Sequence, residues 1–127
     1  MGKSRISAGV AIGLLDKYKA KYKEIKVIVV WPHEILMRQD AKPWDEVEMH
    51  FERTGAVLIR VVGIEAAYRE TNKDTIILVD EADQLFVKEK RKPPRDCKVC
   101  CGFTATIPEG ESQSFIGRRL VTLGFKI

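Results

Sequence analysis

Three short runs of mostly β-branched residues set the strongest limit on the fold: Val27-Ile28-Val29-Val30-Trp31, then 56–62, then Thr75-Ile76-Ile77-Leu78-Val79. None of them alternates apolar with polar residues, so each is expected to be a strand buried on both sides, as strands of a parallel sheet are. The segments between them have helical spacing. Residues 6–22 carry Ile6, Val10, Leu14 and Leu15, with lysines gathering towards the end, where cations suit a helix C-terminus. Residues 34–53 show the same period through Ile35 and Leu36, with a break expected at Lys42-Pro43, and 64–69 read as a short helix. Turns are expected at Thr54-Gly55 and Asn72-Lys73-Asp74, a charged, proline-bearing loop at 87–96, and a fourth strand at 97–103. A helix at 112–120 and a short strand at 121–127 complete the pattern. Strands alternating with helices imply an α/β fold: three layers, α-β-α, around a mostly parallel sheet. With 127 residues, the whole of 1–127 is expected to be a single domain.

Composition narrows the class further. Lys and Arg number 22 against 18 Asp and Glu, a net charge of +4, which permits a phosphate-bearing partner without requiring one. No apolar run approaches the roughly 20 residues that cross a bilayer, and the basic start Met1-Gly2-Lys3-Ser4-Arg5 is not followed by a leader-type apolar region. The three cysteines are odd in number and bunched at Cys97, Cys100 and Cys101, which is no disulfide framework. An intracellular location, cytoplasmic or nuclear, is the expectation.

In parallel sheets ligands bind outside the carboxyl ends of the strands, so the residues that follow each run matter most. After 75–79 comes Asp80-Glu81-Ala82-Asp83. An acid directly after a buried strand is placed to hold Mg²⁺ beside a triphosphate, and a second acid can orient or deprotonate a water. A polar turn with acids at a helix start would look similar, but four apolar residues running straight into this tetrad favour the chemical reading. After the fourth strand come Thr104-Ala105-Thr106, whose hydroxyls could link such a site to a neighbouring lobe. Gly2-Lys3-Ser4 opens a helix, as the end of a phosphate-binding loop does: Lys for the β and γ phosphates, Ser for Mg²⁺. Trp31-Pro32-His33-Glu34 reads either as a loop lining a polymer track, with Pro32, His33 and Arg38 as its contacts, or as a plain helix start with Pro in its first turn.

Other residues favour structural roles. His33 and His50 have no ligand partners nearby in sequence. The C-x-x-C of Cys97 and Cys100 lacks a second pair at finger spacing, so buried strand thiols are expected, with Cys97, Val99 and Cys101 on one face and Lys98 and Cys100 on the other. The basic loop (Lys88, Lys90, Arg91, Lys92, Arg95) and the pair Arg118-Arg119 fit phosphate contacts or a solvated surface alike.

The order GKS (2–4), VVWPHEILMRQD (29–40), VDEAD (79–83) and FTAT (103–106) resembles motifs I, Ia, II and III of the first RecA-like lobe of superfamily-2 helicases. The stretch HEILMRQDAKPW is also similar to a segment of SecA-like preprotein-translocase motors of the same superfamily. The resemblance spans nearly the whole chain. It implies a Walker B acid pair in a P-loop NTPase sheet. Lys3 would bind phosphates, with Gly2 beside it; Ser4 and Asp80 would hold Mg²⁺; Glu81 would polarise water; and Thr104, Ala105 and Thr106 would form the coupling motif. The implied cofactors are ATP and Mg²⁺, and the implied partners are RNA or DNA, or a polypeptide, plus a second RecA-like lobe in cis or trans. Against the family pattern, the first half of the phosphate loop, its preceding strand and the second lobe are missing. That implies a lobe incomplete at its N-terminus, with little or no hydrolysis alone, because transition-state charge is partly neutralised from the second lobe. It also implies an exposed sheet edge able to form a homo-oligomer. The alternative is a degenerate lobe retained as a protein- or RNA-binding module.

Overall fold

A computed structural model describes residues 2–18 and 25–104, with side chains placed for 7–17 and 25–104. The elements expected at 112–120 and 121–127 lie outside the described residues. Chain order is α1 (Gly2–Tyr18), β1 (Lys26–Trp31), α2 (Glu34–Gln39), α3 (Ala41–Thr54), β2 (Val57–Val62), α4 (Ile64–Glu70), β3 (Thr75–Val79), a π-helical turn (Gln84–Lys88) and β4 (Val99–Gly102). The strands form one sheet in the order β2-β1-β3-β4. Every pairing is parallel, with Val27 opposite Leu58 and Ile76, and Cys101 opposite Leu78.

The period of two along each strand sorts side chains into two cores. Val27, Val29 and Trp31 of β1 join Ile76 and Leu78 of β3 beneath α1 and α3, which contribute Ala8, Ala11 and Leu15, and Trp44, Val47 and Phe51. Ile28, Val30, Ile77 and Val79 face the other way, onto Ile64 and Ala67 of α4 and Leu85, Phe86 and Val87 of the π-turn. Helices on both faces of an all-parallel sheet make the three-layer α/β architecture, and the doubly apolar runs of β1 and β3 are its direct cause. Only the two central strands meet the expectation of full burial. β2 is an outer strand among the described residues, and Val57 and Val62 at its ends are 48% and 42% exposed.

Arg60 explains how β2 tolerates a charge in an apolar run. The alternation turns it onto the α3 side, where its guanidinium donates to Trp44 O (3.0 Å) and pairs with Asp45 and Glu48 (both 2.8 Å). The helix above supplies the acids that the sheet cannot.

The break between α2 and α3 falls at Asp40, not at Lys42-Pro43. Pro43 is the third residue of α3, within the first turn, where a backbone N–H has no intrahelical partner to lose. The bend instead follows a tertiary contact: the Trp31 indole Nε1 donates to Asp40 Oδ2 at 2.9 Å. Trp31 and Trp44 meet edge to face with centroids 5.8 Å apart, a favoured aromatic geometry. α3 ends at Gly55, whose φ of 79° is the left-handed conformation glycine adopts without penalty.

The loop expected to begin at Val87 begins two residues later. Leu85, Phe86 and Val87 are consecutive and all buried, and the wider π turn presents three neighbours to one core. The fourth strand is shorter than expected, starting at Val99, because Cys97 and Lys98 belong to the bend that precedes it.

Candidate functional site

All four strands end on the same side of the sheet, and hydrogen bonds tie those ends together. The Asp80 N–H donates to Val30 O (2.8 Å), continuing the β3 ladder one residue beyond the strand, and the Gly63 N–H donates to Trp31 O (2.8 Å). Phe103 is clasped on both sides: its N–H donates to Val79 O (2.8 Å), and its carbonyl accepts from the Ala82 N–H (2.9 Å). Thr104 is therefore held directly beside the Asp80–Asp83 turn. Ala105 and Thr106 lie outside the described residues.

Within that turn Asp80 is 5% exposed, a carboxyl carried at the end of a buried strand. Glu81 has φ of 50°, a left-handed conformation that costs an L-residue about 1 kcal/mol. Backbone strain of this sort concentrates where a side chain must be aimed. Asp83 Oδ1 is buried without a hydrogen-bond partner among the described residues, an arrangement that a cation or an incoming donor would relieve. No group of three or more His, Cys, Asp or Glu among the described residues is arranged to hold a metal unaided. Nucleotide-bound Mg²⁺ does not need one, since it usually takes one or two carboxylates with phosphates and water. Asp80, Glu81 and Asp83 within one turn fit that modest requirement.

The loop after β1 joins the same edge. His33 Nε2 lies 3.0 Å from Gln84 Nε2, so the turn after β1 and the turn after β3 are bridged by side chains. Gln84 had no sequence-level signal beyond being a polar residue next to the acidic tetrad. His33 is exposed, whereas Pro32 is buried and shapes the turn without offering surface to a polymer. Arg38 is exposed on α2 and paired with Glu34 at 2.8 Å.

Gly2, Lys3 and Ser4 form the first turn of α1. The direction of α1 fixes which end of the sheet they occupy. Ala8, Gly9 and Ile12 line a groove with Lys42, Pro43, Glu46 and Val47 of α3, and Asp16 lies 3.9 Å from His50 one to two turns later in both helices. The two helices thus run parallel. α3 starts beside Trp31 at the carboxyl end of β1 and finishes at the turn into β2, so α1 begins towards the carboxyl edge of the sheet. The groove itself contains none of the Asp80–Asp83 acids.

The cysteines sit apart from this edge. All three are half-buried and free. Val99 and Cys101 pack on the α1/α3 side, while Cys97 joins Cys100 on the α4 side, against the expected alternation; Cys97 precedes the strand, so the period of two does not govern it. Burial, then the neighbouring Cys97 and Cys101, pushes the Cys100 thiol up to about 12, and burial likewise raises Cys97 and Cys101. Protonated thiols are neither nucleophiles nor ready metal ligands. Because the folded pKa of Cys100 exceeds that of the unfolded chain, its contribution to stability is complete below about pH 9 and lost as pH rises towards 12. Urea unfolding of wild type and Cys100→Ala should therefore converge above pH 9, by at most about 1.4 kcal/mol per pH unit. A constant difference from neutral pH to pH 10.5 would show the thiol to be unshifted.

Comparison with protein-family models, curated protein sequences and solved structures finds no match to this chain.

Proposed function

We propose that the chain is the ATP-binding lobe of a DEAD-like helicase or translocase-type NTPase, coupling nucleotide hydrolysis to movement on nucleic acid or, in the SecA-like variant, on a polypeptide. The observation that carries the reading is the carboxyl edge. There the nearly buried Asp80, the strained Glu81 and the clasped Phe103-Thr104 segment meet at the end of a central parallel strand. In this reading Asp80 and Ser4 hold Mg²⁺, which would neutralise phosphate charge when bound. Lys3 and the Gly2–Ser4 backbone bind phosphate at the helix start. Glu81 accepts a hydrogen bond from the attacking water and orients it. Thr104, with Ala105 and Thr106, transmits the state of the site to a second lobe. The His33–Gln84 bridge connects the polymer-side loop after β1 to the acidic turn.

Titration of Mg²⁺–ATP by calorimetry tests this directly. Residues 1–127 on their own are expected to bind weakly and turn over slowly, since in this reading a second lobe, in cis or trans, supplies part of the charge neutralisation. Lys3→Ala and Asp80→Ala should each bind about tenfold more weakly, a difference of about 1.4 kcal/mol. Three superimposable curves at millimolar ATP would overturn the reading. Robust turnover by this chain alone would exclude the alternative, a lobe kept only for its docking surface.

A further inference from the structure

Residues 88–96 hold five basic side chains (Lys88, Lys90, Arg91, Lys92, Arg95) against two acidic ones (Glu89, Asp96), with Pro93-Pro94 between. A segment of that composition is ordinarily a solvated loop, yet here it is fastened along its length. The Glu89 and Arg91 N–H groups donate to Gln84 O and Leu85 O, both at 2.9 Å. The Arg91 guanidinium pairs with Glu65 and lies 5.9 Å from the centre of the Tyr68 ring. The Tyr68 hydroxyl donates to Lys92 O, and the Thr71 hydroxyl donates to Asp96 O at 3.3 Å. Pro94 is buried, and the Lys98 N–H returns the chain to the sheet through Thr75 O (2.8 Å). The segment is a strap lying against α4.

The fastenings engage one cation only. Arg91 is matched by Glu65, whose carboxyl is held below its usual range by a backbone hydrogen bond and then by Arg91 itself. Lys88, Lys90, Lys92 and Arg95 are all exposed, and none has a side-chain partner among the described residues. Four cations with no side-chain partner among the described residues are thereby displayed on a backbone already ordered, so a ligand would not bear the cost of ordering the loop. A linear polyanion suits such a ridge. A lipid surface suits it less, because membrane docking relies on apolar insertion and residues 88–96 contribute no large exposed apolar side chain.

We propose that this strap docks the sugar–phosphate backbone of nucleic acid, through Lys88, Lys90, Lys92 and Arg95 and without reading sequence. The surface stands independently of the nucleotide site, and its test contains neither nucleotide nor Mg²⁺. Failure here therefore leaves the ATP reading intact, and failure of that reading leaves this one intact.

The experiment is fluorescence anisotropy of a labelled, mixed-sequence single strand with the full chain over a series of KCl concentrations. Lys88→Gln/Lys90→Gln/Lys92→Gln/Arg95→Gln is expected to bind at least ~10-fold more weakly. The slope of log affinity against log salt should become shallower by about 3, at ~0.7 for each phosphate contact on a single strand. Tyr68→Phe removes the fastening at Lys92 without changing charge, so affinity should fall several-fold while the slope stays constant. If the fourfold variant loses its circular dichroism spectrum, Lys90→Gln and Arg95→Gln taken singly should each reduce the slope by ~0.7. Equal binding by wild type and the charge variants would overturn the proposal, as would an unchanged affinity in Tyr68→Phe. So would no retention of the strand at the lowest salt, or strap-dependent binding to phosphatidylserine vesicles or polyglutamate in place of the strand.

Discussion

Replacing Trp31 by alanine is expected to destabilise the fold by about 3–5 kcal/mol, the range for truncating a buried aromatic. Trp31 is wholly buried at the carboxyl end of β1, packs edge to face on Trp44, and donates its indole N–H to Asp40 where α2 meets α3. The substitution opens a cavity under α3 and releases the bend that orients it. Trp31→Phe keeps most of the ring but loses the donor, so a smaller loss of about 1–2 kcal/mol is expected. Against a typical domain stability of roughly 5–15 kcal/mol, the alanine variant should show a large drop in urea midpoint or be unfolded outright. A midpoint within error of wild type would mean that the Trp31–Trp44–Asp40 arrangement contributes little.

Phe86→Ala tests the opposite face and should cost a similar ~3–5 kcal/mol. Phe86 is fully buried in the π-turn among Ile64, Ala67, Ile77 and Val79. It is the anchor that brings the chain back onto the sheet immediately after the acidic turn and Gln84. Phe86→Leu fills much of the volume and should cost less than about 1.5 kcal/mol. If alanine and leucine proved equally mild, the α4 face would not be packed as a core. Because the two aromatic residues lie on opposite sides of the sheet, far from shared partners, their effects should add.

What was legible in the chain and what was not follows from the range of the interaction involved. β3 occupies Thr75–Val79, as its apolar run between Asp74 and Asp80 implies, and β1 differs by one residue. Burial on both faces writes itself directly into composition, so central strands are readable. Whether an apolar run lies at the centre or the rim is not, which is why the exposure of Val57 and Val62 came only from the pairing order. The helix break was misplaced because Pro43 is a conspicuous local signal, whereas the acting contact is an indole nine residues upstream. At the candidate site the acidic turn was legible as an acid set behind a buried strand. The strain at Glu81, the buried Asp83 oxygen that has no partner among the described residues, and the bridge from His33 to Gln84, separated by 51 positions, arise only when the sheet brings its ends together.

The manner in which Arg60 is held has a colloidal consequence. Outer strands commonly carry a charge directed at solvent, and that charge repels a second strand seeking the same hydrogen bonds. In β2, an outer strand among the described residues, the guanidinium is turned onto α3 and neutralised by Asp45 and Glu48, which leaves exposed valines at both ends of the strand. The repulsion left between copies along such an edge is that of the net charge of +4. Diffuse repulsion is screened within about 10 Å at moderate ionic strength. Salt, which for most proteins masks surface attraction and repulsion alike, should here act in one direction, bringing the rims of neighbouring molecules within pairing distance.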